Sequence, residues 1–388
     1  MILTIADDLS GAAEAGGIAL RFGLTAEVHT RFHPAGDVDM IVVNTETRAC
    51  SGHEAAERVR QILRCYRELP HRLLFKKVDS VLRGNVLAEL AAVLDAGLYR
   101  RTILAPSNPS LGRTIANGHY WVGDEPLNCT DFAHDPEHPA DTSDVRQLLQ
   151  ARDRQNIAGY WPVTVCPPEA QLPAHGIIVG EVTSTDDLRA LADQVDPFTL
   201  ATGGAEFLGA MLQAFGHTPT HSLPTSGFSV NERKLFVCGS TSTACRQFCR
   251  DCEADGIAVV RMPRALLTPA CPGDETIEEW ATATCAALRT RARAVIAIDR
   301  PLQRDPRLPG LLSERLGAAV ERVLEVCPVQ HLLVEGGATA AALVRRFGWT
   351  RLRVVDELAP GVVSTRIPQI PGQILTMKPG SYRWPGIV

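Results

Sequence analysis

Short apolar runs rich in Val, Ile and Leu recur along the chain, and each gives way to a longer stretch in which Ala, Leu and Arg repeat at helical spacing. The clearest runs are Met40–Asn44, Arg72–Val78, Thr102–Ala105, Ile177–Val179, Leu235–Cys238, Ala294–Ile298 and His331–Val334, and the opening run that stops at Asp7 joins them. Strands alternating with helices predict a mainly parallel sheet. From Gly216 to Asn231 the periodicity stops and Pro, Ser, Thr and Gly take over, which is the composition of a linker. With 388 residues and roughly 100–200 residues per domain, the chain reads as two α/β domains, residues 1–220 and 232–388. Each has a mainly parallel sheet, and a ligand cleft is expected between them. A second irregular stretch, Ser107–Pro139, is full of Pro, Gly, Asn and Asp. Its length predicts a binding loop or lid.

The first fourteen residues, Met1-Ile-Leu-Thr-Ile-Ala-Asp-Asp-Leu-Ser-Gly-Ala-Ala-Glu14, combine a buried strand, two carboxylates and a helix start. Asp8 or Ser10 caps the Ala-rich helix, so Asp7 and Asp8 sit at or just beyond the carboxyl end of a strand, where open α/β sheets bind ligands. Adjacent residues on extended backbone point to opposite sides. One of the pair therefore faces ligand, and Asp8, nearer the helix and the crevice, is the candidate for substrate contact. The competing account is plainer: one aspartate caps the helix and the other pairs with a nearby cation.

A second constellation follows another strand end, in Phe75-Lys-Lys-Val-Asp-Ser-Val-Leu-Arg-Gly-Asn85. Lys77, Asp79, Ser80, Arg83 and Asn85 are expected to cluster at one mouth before the helical run Val86–Leu98. Arg83 suits a bidentate grip on a carboxylate, and Asp79 and Asn85 suit hydrogen bonds to sugar hydroxyls. That is the chemistry a small polyhydroxy acid requires.

Composition narrows the partners. With 45% hydrophobic residues, 21% charged residues and a net charge of -5, the chain is of ordinary globular type and offers no basic surface for nucleic acid. An anionic ligand has to be met by local cations. No apolar run approaches the roughly 20 residues needed to cross a bilayer, and the opening residues form a strand rather than a signal peptide. A cytoplasmic protein without a membrane partner is expected. Eleven scattered cysteines fit reduced thiols better than a disulfide framework.

The second domain carries three glycine-containing turns. Val237-Cys-Gly-Ser-Thr-Ser242 and Val334-Glu-Gly-Gly-Ala-Thr-Ala340 each lie between a strand and a helix, and Met377-Lys-Pro-Gly-Ser381 lies near the C-terminus. A helix start with free N–H groups suits phosphate, and three such turns together point to a nucleotide. Neither G-x-x-x-x-G-K-[ST] nor G-x-G-x-x-G is present. Cys245, Cys249 and Cys252 have the spacing of an iron–sulfur cluster in radical enzymes, but on a helix these positions share one face, and three small buried residues are the simpler reading. Asp131-Phe-Ala-His-Asp-Pro-Glu-His138 lacks the spacing of a metal site.

Taken in order, Ala6-Asp-Asp-Leu-Ser-Gly-Ala12, Lys77-Val-Asp-Ser-Val-Leu-Arg-Gly-Asn85, Pro106-Ser-Asn-Pro-Ser-Leu-Gly-Arg113 with Gly118, Phe132-Ala-His-Asp-Pro136, Gly239-Ser-Thr-Ser242 and Gly336-Gly-Ala-Thr339 resemble the four-carbon acid sugar kinases. The resemblance implies an N-terminal acid-sugar-binding domain and a C-terminal ATP-binding domain. Phosphate would pass to a terminal hydroxyl of threonate, erythronate or 3-oxo-tetronate. It implies substrate contacts at Asp8, Asp79, Arg83 and Asn85, to which the clustering above adds Asp7 and Lys77. It implies ATP contacts at Ser240, Gly336, Gly337, Ala338, Thr339 and Gly380, with Ser242 in the same turn. Asp8 is the candidate base for an in-line transfer with ATP and Mg²⁺; homodimerisation is left open.

The chain departs from the family pattern in places. Ala338 stands where an acidic residue is usual, Gly380-Ser-Tyr-Arg383 replaces Gly-Gly-Phe-Gly, and Gly180-Glu181 replaces Asp-Ala. Glu335 is the candidate substitute for the missing carboxylate near Mg²⁺. Ala338 also supports a rival reading, a degenerate member that senses an acid sugar or nucleotide without transferring phosphate.

Overall fold

The opening apolar run forms β1 (Ile2–Ala6), and Asp8 starts helix α1 (Leu9–Arg21). The chain continues through β2 (Ala26–His29), β3 (Met40–Asn44), α2 (Gly52–Arg67), β4 (Leu73–Lys77), α3 (Val86–Asp95) and β5 (Arg101–Ala105). Next come three short strands, β6 (Arg113–Ala116), β7 (His119–Val122) and β8 (Glu125–Pro126), then α4 (Val145–Arg152), β9 (Val163–Cys166), β10 (Gly176–Gly180), α5 (Thr185–Ala192), β11 (Thr199–Gly203) and α6 (Ala205–Ala214). This computed structural model describes residues 1–33, 37–67, 73–135, 138–153, 155–220, 232–240, 242–269, 274–299, 308–380 and 382–385. They divide into two units, Met1–Ser222 and Leu223–Val388.

In the first unit eight parallel strands run in the order β2-β3-β1-β4-β11-β5-β10-β9. After β1 the chain builds to one side as β3 and β2, then crosses to the other side as β4. The order therefore reverses at β1, and such a switch point opens a crevice at the carboxyl ends of the strands. Register brings those ends level: Ala6 pairs with Asn44 on one side and with Lys77 on the other. Leu3, Ile5, Ile41, Val43, Leu74, Leu90, Leu104 and Ile177 pack into one core beneath.

The stretch Ser107–Pro139, irregular by composition, carries secondary structure of its own. It holds the antiparallel sheet β6-β7-β8 and three single-turn 3₁₀ segments. Its glycines are turn residues: Asn117 and Gly118 both adopt positive φ, 50° and 75°, the type I′ geometry of a two-residue hairpin. Tyr120 of β7 is fully buried and donates its hydroxyl proton to the Ser80 carbonyl at 2.6 Å. Pro136 and Glu137 lie outside the described residues.

The second unit contains β12 (Lys234–Cys238), α7 (Thr243–Ala254), β13 (Ala258–Arg261), α8 (Asp274–Arg291), β14 (Arg293–Ala297), α9 (Leu308–Val326), β15 (His331–Glu335), α10 (Gly337–Arg346), β16 (Arg351–Ala359), β17 (Val362–Arg366) and β18 (Ile374–Lys378). Its strand order is β13-β14-β12-β15-β18-β17-β16, parallel as far as β18 and antiparallel beyond. Of the stretch read as a linker, residues 221–231 lie outside the described residues, and Thr220 is tied by its backbone to Arg21. Among the described residues no helix is long and apolar enough to cross a membrane.

Gly203 ends β11 between Lys77 and Ala105. A methyl group there would lie 2.2 Å from the Ala105 carbonyl oxygen, which is backbone and cannot rotate away. Gly203→Ala is expected to destabilise the first unit by about 1–3 kcal/mol. An unchanged urea midpoint would show that the strand ends can separate without cost.

Candidate active site

Asp8 caps α1 as its position required: its backbone is extended, and Oδ1 accepts the Gly11 N–H at 2.8 Å. The Ser10 hydroxyl donates to Oδ2 at 2.6 Å. Asp7 is buried, and what faces it is a residue the sequence did not single out. Arg48, in the loop after β3, donates from Nε and Nη2 to the two oxygens of Asp7, at 2.9 and 3.1 Å. Its Nη1 donates to Asp8 at 2.9 Å, and Nη2 lies 3.6 Å from Asp79. One planar guanidinium thus joins three carboxylates from the ends of β1 and β4. The Asp7 carbonyl in turn accepts the N–H groups of Thr47 and Arg48, which fixes the loop that presents Arg48.

The residues after β4 gather as expected, although their partners differ. Arg83 has the predicted fork geometry, but the carboxylate it holds is Asp79, through Nε at 2.9 Å and Nη2 at 2.8 Å. Its Nη1 reaches Asp135 at 3.1 Å, and the Phe132 ring lies against both Arg83 and Arg113. Asn85 donates its amide to the carbonyls of Thr47 and Cys50. Lys77 is buried and paired with Glu14 of α1 at 3.0 Å. Arg113 donates to the Ser80 hydroxyl at 2.5 Å. Burial alone would raise the Asp79 pKa, but the guanidiniums of Arg83 and then Arg48 hold its carboxyl well below the usual carboxylate range.

Access separates the three carboxylates around Arg48. The side chain of Asp8 is 16% exposed, against 4% for Asp7 and 8% for Asp79. A cavity of about 590 Å³ lies next to Asn85, lined by Cys50, Ser51, His138, Thr142 and Arg152 among others. Arg152 donates to the carbonyls of Val81 and His138 rather than to a carboxylate, and burial pulls its pKa down to about 10.

In the second unit the three glycine turns meet. A methyl group on Gly239 would fall 1.9 Å from the Thr339 hydroxyl, and one on Gly380 would touch Ser240 at 3.7 Å. Gly336 adopts φ 95°, a conformation suited to glycine, and donates its N–H to the Lys378 carbonyl at 3.0 Å. It has no side chain to cap α10, so the first N–H groups of that helix, at Gly337, Ala338 and Thr339, are left for an anion. Ala338 is exposed and Thr339 buried. Ser242 caps α7 by accepting the Cys245 N–H, and the Ser240 hydroxyl accepts the Ser242 N–H. Thr241 and Ser381 lie outside the described residues.

Comparison with known proteins divides the chain along the same line. A sugar-binding N-terminal domain matches residues 2–211, and a nucleotide-binding C-terminal domain matches residues 235–382. A D-threonate kinase of Cupriavidus necator is 31% identical, covering 95% of this chain and 91% of its own length. The chain belongs to the four-carbon acid sugar kinase family. A 3-oxo-tetronate kinase of Burkholderia multivorans is 27% identical over 97% of this chain and 93% of that one. A solved structure from Salmonella typhimurium has a TM-score of 0.75 at 19% identity, covering 98% of this chain and 96% of the other, and shares the fold.

A kinase of this family implies Mg²⁺. At the nucleotide turns the described residues offer the Ser240 and Thr339 hydroxyls, and the carboxylate of Glu335 is 1% exposed and paired with Lys378 at 3.1 Å. These donors do not fit a protein-held Mg²⁺, which takes its carboxylates from a hydrated, open site.

A carboxylate with a depressed folded pKa contributes stability that is complete above its unfolded pKa, about 3.9 for Asp, and is lost as the pH falls through the folded value. Asp79→Asn is therefore expected to cost the first unit about 3–5 kcal/mol at pH 7. The gap to wild type should narrow only below about pH 4. Urea midpoints from pH 7 to pH 3 test this; a gap independent of pH would mean that the Asp79 charge is not what Arg83 and Arg48 hold.

Proposed function

We propose that this chain is an ATP-dependent kinase that phosphorylates a terminal hydroxyl of a four-carbon sugar acid such as threonate or 3-oxo-tetronate. Residues 1–220 would hold the acid and residues 232–388 the nucleotide. The observation that carries the reading is the convergence of Gly239, Ser240, Thr339 and Gly380 at an uncapped helix start, in a chain whose full-length relatives are kinases of such acids.

In the first unit, Asp8 is the carboxylate placed to receive the attacking hydroxyl, because it is the most exposed of the three that Arg48 grips. Asp7 through Arg48, Lys77 through Glu14, and Asp79 through Arg83 and Arg48 are held in ion pairs that would fix the pocket wall. Since the Arg83 fork is filled by Asp79, the acid's own carboxylate is better served by Arg152 and by the Asn85 side of the adjoining cavity. In the second unit, the N–H groups of Gly337, Ala338 and Thr339 would take the phosphates, with Ser240, Ser242, Gly336 and Gly380 shaping the turn. An acidic side chain at position 338 is not needed for that backbone role. Mg²⁺ would arrive on the phosphates of ATP.

Release of ADP across a panel of four-carbon acids tests the activity directly. Binding of ATP and acid with no ADP release would favour the sensor reading. Asp8→Asn is expected to lower kcat by about 10²–10⁴-fold if Asp8 acts on the hydroxyl, and full turnover in that variant would remove its role. Gly239→Ala, which forces Thr339 aside, is expected to raise the KM for ATP while leaving the KM for the acid unchanged. A shift in the acid's KM alone would place the nucleotide elsewhere.

A further inference from the structure

Lys378 ends β18 beneath the glycine turns and is buried. An ammonium has three protons to donate, and three acceptors surround this one: the Glu335 carboxylate at 3.1 Å, the Tyr382 carbonyl at 2.8 Å and the Pro379 carbonyl at 3.4 Å. The ring of Trp384 covers it, with the ring centroid 5.2 Å from Nζ. The Lys378 carbonyl in turn accepts the Gly336 N–H at 3.0 Å.

These contacts reach all three glycine turns. Glu335 immediately precedes Gly336, pairs across the sheet with Cys238 and faces the Cys245 thiol. Trp384 packs edge-on against Phe236 of β12 and beside Phe248 of α7, the strand and helix that flank Gly239. Residues 379–380 and 382–385 belong to no strand or helix, so side-chain anchors take the place of a backbone ladder in setting the path of the Gly380 turn.

Stability alone does not call for such a lysine. Replacing a buried ion pair by apolar residues is often neutral, because desolvation offsets the attraction. An apolar side chain at position 378 could fill the same space, but it could not hold the Tyr382 carbonyl. Nor is the ammonium available to a phosphate, since it is buried and its protons are engaged.

We propose that Lys378 is a positioning residue of the nucleotide site. It fixes the Gly336 turn through Glu335 and the Gly380 turn through the Tyr382 carbonyl. The spacing of the two turns, and with it the affinity for ATP, then depends on a side chain that never touches the nucleotide. The proposal rests on the reading that these turns hold ATP.

Lys378→Met removes the charge and keeps the bulk, but it strands Glu335 and is expected to lower the urea midpoint. The deciding variant combines Lys378→Met with Glu335→Gln, which leaves neither charge of the pair behind. It should regain most of the wild-type midpoint and still show a KM for ATP raised about tenfold or more, the scale of one charge-assisted hydrogen bond, with the KM for the acid unchanged. A merely structural lysine predicts that midpoint and KM recover together, and that result overturns the proposal. If the double variant does not fold, Trp384→Leu decides: it keeps both charges and should raise the KM for ATP about threefold, whereas a wild-type value overturns the proposal. Calorimetric dissociation constants replace KM if ATP binds without turnover. Gly239→Ala separates the two levels of the argument. A raised KM for ATP in that variant alone sinks only the role of Lys378, and a wild-type value in all of them places the nucleotide elsewhere and sinks both.

Discussion

The guanidinium of Arg48 is the interaction on which the first unit's site depends. Parallel pairing in register brings the ends of β1 and β4 level, and with them Asp7, Asp8 and Asp79, three carboxylates within reach of one another. Such a cluster is unfavourable without a shared cation, because like charges at partly buried positions repel and cannot be screened by water. Arg48 answers all three at once, which a lysine with its point charge could not do in the same geometry. Arg83 then holds Asp79 from the far side and passes the network to Asp135. The carboxylates are thus fixed in place by the protein's own cations, which preorganises the ends of these strands.

How much of this was legible in the sequence depends on the range of each signal. Asp7, Asp8, Lys77 and Asp79 stand immediately after apolar runs, so local pattern alone places them at strand ends. The helix-capping role of Asp8 was equally local. Arg48 follows the same kind of run, Met40–Asn44, but nothing in Thr45-Glu-Thr-Arg48 says that β3 neighbours β1; that fact belongs to strand order and is long-range. The occupied fork of Arg83 was illegible for a similar reason. Its geometry was foreseen, but the choice between an internal and an external carboxylate turns on a side-chain rotamer. The Ser107–Pro139 stretch was misread because its strands have only two to four residues, too short for a period to register, although the Asn117-Gly118 turn was a usable hairpin signal.

The second unit works differently. There the glycine turns were recognisable one by one, and what the fold adds is their contact: Gly239 must lack a side chain because Thr339 fills the space, and Gly380 lies over Ser240. The surface these turns present is therefore largely backbone, and Thr339, Glu335 and Lys378 are buried beneath it. Glu335 and Lys378 illustrate this. Each ends a strand beneath the turns and is fully buried in the ion pair, so their charges shape the support of the site rather than its face. Ala338, exposed at the helix start, is consistent with recognition that reads main-chain N–H groups and not a particular side chain.

The arrangement around Asp8 also bears on what kind of catalysis the site can perform. Any aspartate carboxylate is far too weak a base to remove a proton from an alcohol in the ground state, and this one is held in a fixed direction by Gly11, Ser10 and Arg48. Phosphoryl transfer does not ask for that. In a loose transition state the bond to the leaving oxygen is largely broken before the nucleophile has bonded, and the hydroxyl becomes acidic only late. What is needed earlier is a rigid acceptor that aims an oxygen lone pair along the transfer line. The hydrogen bonds to Asp8 fix its direction, so the capped, Arg48-bound carboxylate fits an orienting role that ends in proton acceptance, not one that begins with it.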